Sequence, residues 1–127
     1  MSRTSKVDIV RVYDHDATVP DDAYRVLVDR LWPRGVAKSD LTYDAWPKDV
    51  TPSTDLRKWY GHEPGRWQEF RRRYRSELAV DPASSALAAI VEAAGSHPIV
   101  LLTAVKAVDR SAAEVLAEVL TGAGPTD

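Results

Sequence analysis

The stretch that decides the fold reads Tyr24-Arg25-Val26-Leu27-Val28-Asp29-Arg30-Leu31-Trp32-Pro33-Arg34-Gly35. Its first eight residues have the composition of a β-strand, and Val26, Leu27 and Val28 place apolar side chains on both of its faces. A strand without polar alternation is typical of a sheet position that is covered on both sides. We therefore predict a central strand over Tyr24–Leu31, followed directly by a loop that contains Trp32, Pro33 and Gly35.

Further strands are predicted on both sides of this stretch. Their ranges are Val7–Tyr13 and Ile99–Leu102, the latter buried by its composition. Tyr43–Lys48 is a candidate short strand that Pro47 confines to an edge or a strand end. A loop of about ten residues joins the first two strands, so antiparallel pairing is open to them, whereas the last strand is expected to be parallel.

The middle of the chain is predicted to form two helices. Ser53 or Thr54 caps a short helix that ends at Gly61. The next helix begins near Pro64, and its apolar residues recur at helical spacing on one face: Trp67, Phe70, Tyr74 and Leu78.

Two more helices follow. One begins at Asp81-Pro82 and ends at Gly95, and the last opens with the capping-box pattern Ser111-Ala112-Ala113-Glu114. This order predicts an α/β fold, a small, mostly parallel sheet of about four strands with helices on both faces. We expect residues 1–127 to form a single domain, with flexible tails at 1–5 and 121–127.

Composition excludes several classes of function. The net charge of −2 provides no global field towards nucleic acid or anionic membrane. The chain has no cysteine, which excludes disulfides, thiol catalysis and thiolate metal sites. Residues 1–6 are polar and no apolar segment is long enough to cross a bilayer, so we expect a cytoplasmic protein without membrane contact.

Long strings of this sequence resemble a known family. The strings are Arg25-Val26-Leu27-Val28-Asp29-Arg30-Leu31-Trp32-Pro33-Arg34-Gly35, Pro52-Ser53-Thr54-Asp55-Leu56-Arg57-Lys58-Trp59-Tyr60-Gly61-His62, and Arg66-Trp67 with Phe70-Arg71-Arg72-Arg73-Tyr74. They resemble the signature of the YeaO-like branch of the domain of unknown function 488 (DUF488) family, over about Val10 to Leu120. The resemblance implies a small bacterial α/β protein with no established activity.

One segment departs from the pattern of that family. Its members usually continue from the last strand into an aromatic-Ala-Ala-Lys-Asp stretch and a turn that contains histidines. This chain has Thr103-Ala104-Val105-Lys106-Ala107 and then Asp109-Arg110-Ser111-Ala112, so it keeps the lysine but lacks the acid and the histidines. If those groups carry out chemistry in relatives, their loss predicts that it is absent here, and whether the chain is an enzyme stays open.

Candidate site residues follow the predicted central strand. Ligands of open α/β sheets bind at the carboxyl ends of the strands, where Asp29, Arg30, Trp32 and Arg34 are expected. Guanidinium groups match phosphate and carboxylate geometry, so the two arginines are candidates for an anion clamp. The alternative is structural, with Asp29 paired to an arginine, Trp32 in the core and the arginines capping helices.

The leading hypothesis extends this clamp to an arginine-rich pocket for a small phosphate- or carboxylate-bearing ligand. Arg57 and His62 would come from the helical middle, and Lys106 from the end of the last strand. No nucleotide-binding loop, nucleophile elbow or zinc-binding histidine pair is present, so no cofactor and no metal are predicted. Asp14-His15-Asp16 is too small a set on a loop to predict a metal site.

An alternative function uses the helix that carries Arg71, Arg72, Arg73 and Arg75. These side chains would make it a noncatalytic nucleic-acid or protein-binding module, or the face is simply solvated and paired with glutamates. The sequence does not predict an oligomeric state.

Overall fold

A three-stranded parallel sheet forms the centre of the protein. The computed structural model describes residues 6–14 and 18–122. The strands are β1 (Val7–Arg11), β2 (Tyr24–Leu27) and β3 (Ile99–Thr103). Their order is β1-β3-β2, and both outer strands run parallel to β3. All five residues of β3 are buried, so the last strand in the chain is the central one.

The sheet differs from the prediction in three respects. It has three strands in the described residues instead of about four, because residues 43–48 contribute only an isolated bridge between Val26 and Ala45. Antiparallel pairing of the first two strands is wrong, since β3 lies between them. The predicted central strand is β2, an outer strand that ends at Leu27, and the Leu27 N–H donates to the Ala45 carbonyl oxygen over 2.9 Å.

Four α-helices accompany the sheet in residues 6–14 and 18–122. They are α1 (Thr54–Tyr60), α2 (Trp67–Leu78), α3 (Ala83–Ala94) and α4 (Ala112–Thr121). Ser53 caps α1 by accepting the Leu56 N–H, and Gly61 ends it with a left-handed φ of 50°. The predicted capping box of α4 is wrong, because the Ser111 hydroxyl donates to the Val108 carbonyl instead.

The two faces of the sheet are covered differently. One face packs Val26, Ile99 and Leu101 against side chains from all four helices, among them Leu56, Phe70, Leu87 and Leu116. The other face packs Leu27, Val100 and Leu102 against loop residues, among them Trp32, Leu41 and Trp46. The prediction of helices on both faces of the sheet is therefore wrong for the described residues. The residues between β2 and α1 form no α-helix and cover the second face with aromatic side chains.

Most residues of the two predicted tails lie outside the part of the chain that the structure describes. Thr121 is the last residue of α4, while residues 1–5 and 123–127 lie outside the described part of the chain. His15 and Asp16 of the discounted loop also lie outside it. Within residues 6–14 and 18–122, no helix has the length and apolarity needed to cross a membrane.

Candidate functional site

A cavity of about 570 Å³ lies at the carboxyl ends of β2 and β3, beside the first residues of α4. Six of the seven predicted site residues line it: Asp29, Arg30, Trp32, Arg34, Arg57 and His62. Lys106 is exposed and is not among the lining residues. The carboxyl edge of the parallel sheet thus brings together a loop after β2, the helix α1 and the loop after β3.

Asp29 ties the two strands together at the floor of this cavity. One carboxylate oxygen accepts the Thr103 hydroxyl over 2.6 Å, and the other accepts the Ala104 N–H over 2.7 Å. Its carbonyl oxygen accepts the Trp46 indole N–H over 2.6 Å. Both carboxylate oxygens are therefore committed within the protein, and the residue pairs with no arginine of the described chain, contrary to the structural alternative.

The loop after Asp29 carries two arginines on a constrained backbone. Arg30 Nη1 donates to the Thr51 hydroxyl oxygen over 3.1 Å. The Arg34 carbonyl accepts the Tyr13 hydroxyl over 2.7 Å, and its guanidinium has no hydrogen bond or ion pair to any described residue. Gly35 has a φ of 79°, a conformation that glycine adopts without steric cost. This turn directs the chain back towards the sheet while leaving the arginine side chains exposed.

Trp32 lines the cavity but is held by the protein itself. Its indole N–H donates to the Val36 carbonyl oxygen over 2.6 Å. Its ring packs edge-on against Tyr43 and Trp46, with centroids 5.7 and 5.6 Å away. These contacts make Trp32 the anchor that fixes the loop bearing Arg30 and Arg34 against the second face of the sheet.

Helix α1 and the residues after it form another part of the cavity wall. Arg57 Nη2 donates to the Thr54 hydroxyl oxygen over 3.2 Å, and the exposed Lys58 beside it also lines the cavity. His62 follows the end of the helix with a φ of 59°, and its ring centroid lies 5.8 Å from that of Tyr60. Lys58 was not predicted as a site residue, although it is adjacent to Arg57 in the same family-like string.

The charges of this wall and loop are not balanced by acids. Four cationic side chains line the cavity, namely Arg30, Arg34, Arg57 and Lys58, and none forms an ion pair with a described residue. Asp29 is the single carboxylate among the described lining residues, so four positive charges stand against one negative charge. The described part of the cavity is therefore electropositive.

The arginines of α2, unlike those of the cavity, form ion pairs with glutamates. Arg71 and Arg75 both contact Glu118 of α4, over 2.7 and 3.3 Å. Arg72 and Arg73 bond to Glu69, and hydrogen bonds from these two arginines lower the pKa of the Glu69 carboxyl. Each of the four arginines on this face of α2 thus contacts a glutamate, and because two glutamates serve four arginines the group keeps a net positive charge.

The hydroxyl groups around the cavity are also committed to protein acceptors. Thr51 donates to the Lys48 carbonyl, Thr103 to Asp29, and Ser111 to the Val108 carbonyl. The Tyr60 hydroxyl donates to the Arg110 carbonyl over 2.7 Å, and burial raises the pKa of Tyr60. Sequence reasoning missed these four residues because their roles depend on partners 3 to 74 positions away.

Comparison with known proteins confirms the family resemblance. A family model described as "Inactive DUF488-N3 subclade" matches residues 6–125. The chain is 45% identical over 122 residues to Uncharacterized protein Rv3073c of Mycobacterium tuberculosis (strain ATCC 25618 / H37Rv), a match that covers 96% of this chain and 99% of the relative.

A second relative carries the name of the branch that the sequence resembles. The chain is 43% identical over 108 residues to Uncharacterized protein YeaO of Escherichia coli (strain K12), covering 85% of this chain and 90% of that protein. No solved structure matches the chain. The matched range of the family model includes every described residue of the cavity lining, and the chain belongs to the DUF488 family.

Proposed function

We propose that this protein binds a small phosphate- or carboxylate-bearing ligand in the cavity at the carboxyl ends of β2 and β3. The observation that carries the proposal is the charge of the described lining, where four cationic side chains face a cavity whose one carboxylate is already hydrogen-bonded. The arginines of α2 have glutamate partners. The cavity arginines have none among the described residues.

The position of the cavity adds a second source of positive potential. Ser111 and Ala112, at the amino end of the ten-residue α4, belong to the lining. The Ser111 side chain does not cap the helix, so the first N–H groups of α4 have no side-chain acceptor there. Helix amino ends carry partial positive charge and bind anions readily. This dipole acts together with the guanidinium groups and is not sufficient alone.

The proposal is binding without turnover. His62 has a ring contact with Tyr60 but no carboxylate or other hydrogen-bond partner in the described structure that would orient it as a general base. The acid and histidines expected after Lys106 are absent from the sequence, and the family model that matches carries the description "inactive". These three observations favour a protein that recognises an anion and leaves it chemically unchanged.

Calorimetric titration with inorganic phosphate, pyrophosphate and citrate tests the proposal. Hydrogen bonds to charged groups contribute about 1.5–3 kcal/mol each, so Arg30→Ala and Arg34→Ala should each weaken binding about tenfold or more. Lys38→Ala is the matched control, because Lys38 is an exposed cation outside the cavity lining and its loss changes the net charge equally. Unchanged affinity in both arginine variants, with the fold intact, contradicts the proposal.

A further inference from the structure

The cavity contains an apolar region besides its cationic rim. Val28, Tyr60 and Phe70 are buried core residues that reach the lining, and the rings of Tyr60 and Phe70 are stacked with centroids 4.3 Å apart. Val105 lines the side formed by the loop after β3. One side of the described lining is therefore a hydrocarbon surface that continues the core cluster of the helical face.

The hydroxyl groups beside this apolar region offer no free hydrogen-bond donor. The hydroxyl protons of Thr51, Tyr60, Thr103 and Ser111 are all donated to protein oxygens. No buried side-chain nitrogen or oxygen of the described residues lacks a hydrogen-bond partner. A polar ligand group placed against the side chains of Val28, Phe70 and Val105 would lose its water without gaining a donor from them, which is unfavourable.

The size of the cavity also indicates a ligand with a charged part at the rim and an apolar part inside. Its volume of about 570 Å³ lies within the range of sites for small organic molecules, and a bare phosphate or carboxylate would leave most of it unfilled. The charged groups lie on exposed side chains at the rim, as Arg30, Arg34 and Arg57 show. An anionic head group at the rim leaves the apolar surface for the rest of the ligand.

We infer that the ligand is an amphiphilic organic anion, with one phosphate or carboxylate head group and an unsubstituted hydrocarbon body. The inference rests on the proposed function, because it assigns the head group to the same arginines. It excludes inorganic anions and polyhydroxylated sugar phosphates as preferred ligands, since neither would use the hydrocarbon surface beside Tyr60 and Phe70.

A series of short-chain anions tests the inference by calorimetry. The probes are inorganic phosphate, methyl, ethyl, propyl and butyl phosphate, glycerol 3-phosphate, and the carboxylates acetate to pentanoate. Affinity should rise about fourfold for each methylene that becomes buried. Propyl phosphate and glycerol 3-phosphate share a three-carbon chain and differ in two hydroxyl groups, so propyl phosphate should bind more than about tenfold tighter.

A variant of the apolar surface links the effect to this cavity. Val105→Thr keeps the side-chain shape and adds a hydroxyl, so it should weaken propyl phosphate binding about threefold or more relative to inorganic phosphate binding. Val80→Thr is the control, because Val80 is 61% exposed and lies outside the lining. Urea denaturation of both variants verifies that the fold is kept.

The outcomes separate the two proposals. A chain-length gain in either series that is reduced in Val105→Thr supports the inference, and the series that shows it identifies the head group. Inorganic phosphate binding that depends on Arg30, with no gain from the chain and no advantage of propyl over glycerol phosphate, overturns the inference and leaves the proposed function standing. If no probe shows binding that depends on Arg30 or Arg34, both proposals are overturned.

Discussion

Replacement of Asp29 by alanine should destabilise the fold more than any surface substitution near the cavity. The carboxylate joins the end of β2 to the end of β3 through the Thr103 hydroxyl and the Ala104 N–H, over 2.6 and 2.7 Å. Thr103 is 1% exposed, so its hydroxyl has little access to water that could replace the lost acceptor. Asp29→Ala therefore leaves a buried donor unsatisfied and removes the side-chain link between the two strand ends.

The magnitude follows from the two charged hydrogen bonds. Each contributes about 1.5–3 kcal/mol, so their joint loss should lower the free energy of unfolding by about 3–6 kcal/mol. Asp29→Asn should cost about half as much, because the amide oxygen accepts the Ala104 N–H while the amide nitrogen donates to the Thr103 oxygen. The order of stability should be parent, Asn variant, Ala variant.

Urea denaturation measures this order. With a slope of about 1–3 kcal/mol per molar urea for a small domain, the Ala variant should lose at least about 1 M in its midpoint. Asp40→Ala serves as the control, since Asp40 is exposed in a 3-10 turn, and its free energy of unfolding should stay within about 0.5 kcal/mol of the parent. An Asp29→Ala loss below about 1 kcal/mol at an unchanged slope would refute the reasoning.

Three further predictions concern the helices. Ser53→Ala removes the acceptor of the Leu56 N–H and should cost about 1 kcal/mol in urea denaturation. Gly61→Ala places a Cβ at a φ of 50° and should also cost about 1 kcal/mol, with Gly61→Asn less affected. Glu114→Gln should stabilise the fold at neutral pH, because burial, with the nearby Glu118, raises the pKa of Glu114. A raised carboxyl pKa contributes stability below the unfolded pKa and loses it as pH rises through the folded value, so midpoints of parent and variant should converge below about pH 4.

Much of the fold was predictable because its signals are local. The Ser53 cap, the Gly61 stop and the apolar spacing of α2 specify helices within a few residues, and the structure has them there. The composition of Ile99–Leu102 likewise predicted a buried strand, which the structure extends to Thr103. Propensity and periodicity suffice where the determining contacts are close in sequence.

Strand order depended on information that no local pattern carries. Val26, Leu27 and Val28 are apolar on both faces because one face meets the helices and the other meets the tryptophan-containing loops. That pattern indicates two-sided coverage but does not distinguish a central strand from an outer one. The number of strands was overestimated for a related reason, since Ala45 makes only one bridge before the chain turns.

The candidate site was predictable to the extent that it follows strand ends. Asp29, Arg30 and Arg34 come directly after β2, and parallel strands gather such residues at one edge. Lys106 also follows a strand, but the chain after Val105 leads to a 3-10 turn at 108–110 and the exposed lysine is not part of the lining. The direction of a loop side chain depends on tertiary contacts.

Nuclear magnetic resonance mapping of inorganic phosphate tests the central claim most directly. Amide shifts recorded during a titration at low ionic strength locate the bound anion even while the natural ligand is unidentified. The account predicts that the largest shifts occur around the cavity, at Arg30, Arg34 and Ala112, and that they vanish in Arg30→Ala. Shifts confined to residues 71–75 of α2, or none at phosphate concentrations that saturate a millimolar site, would contradict it.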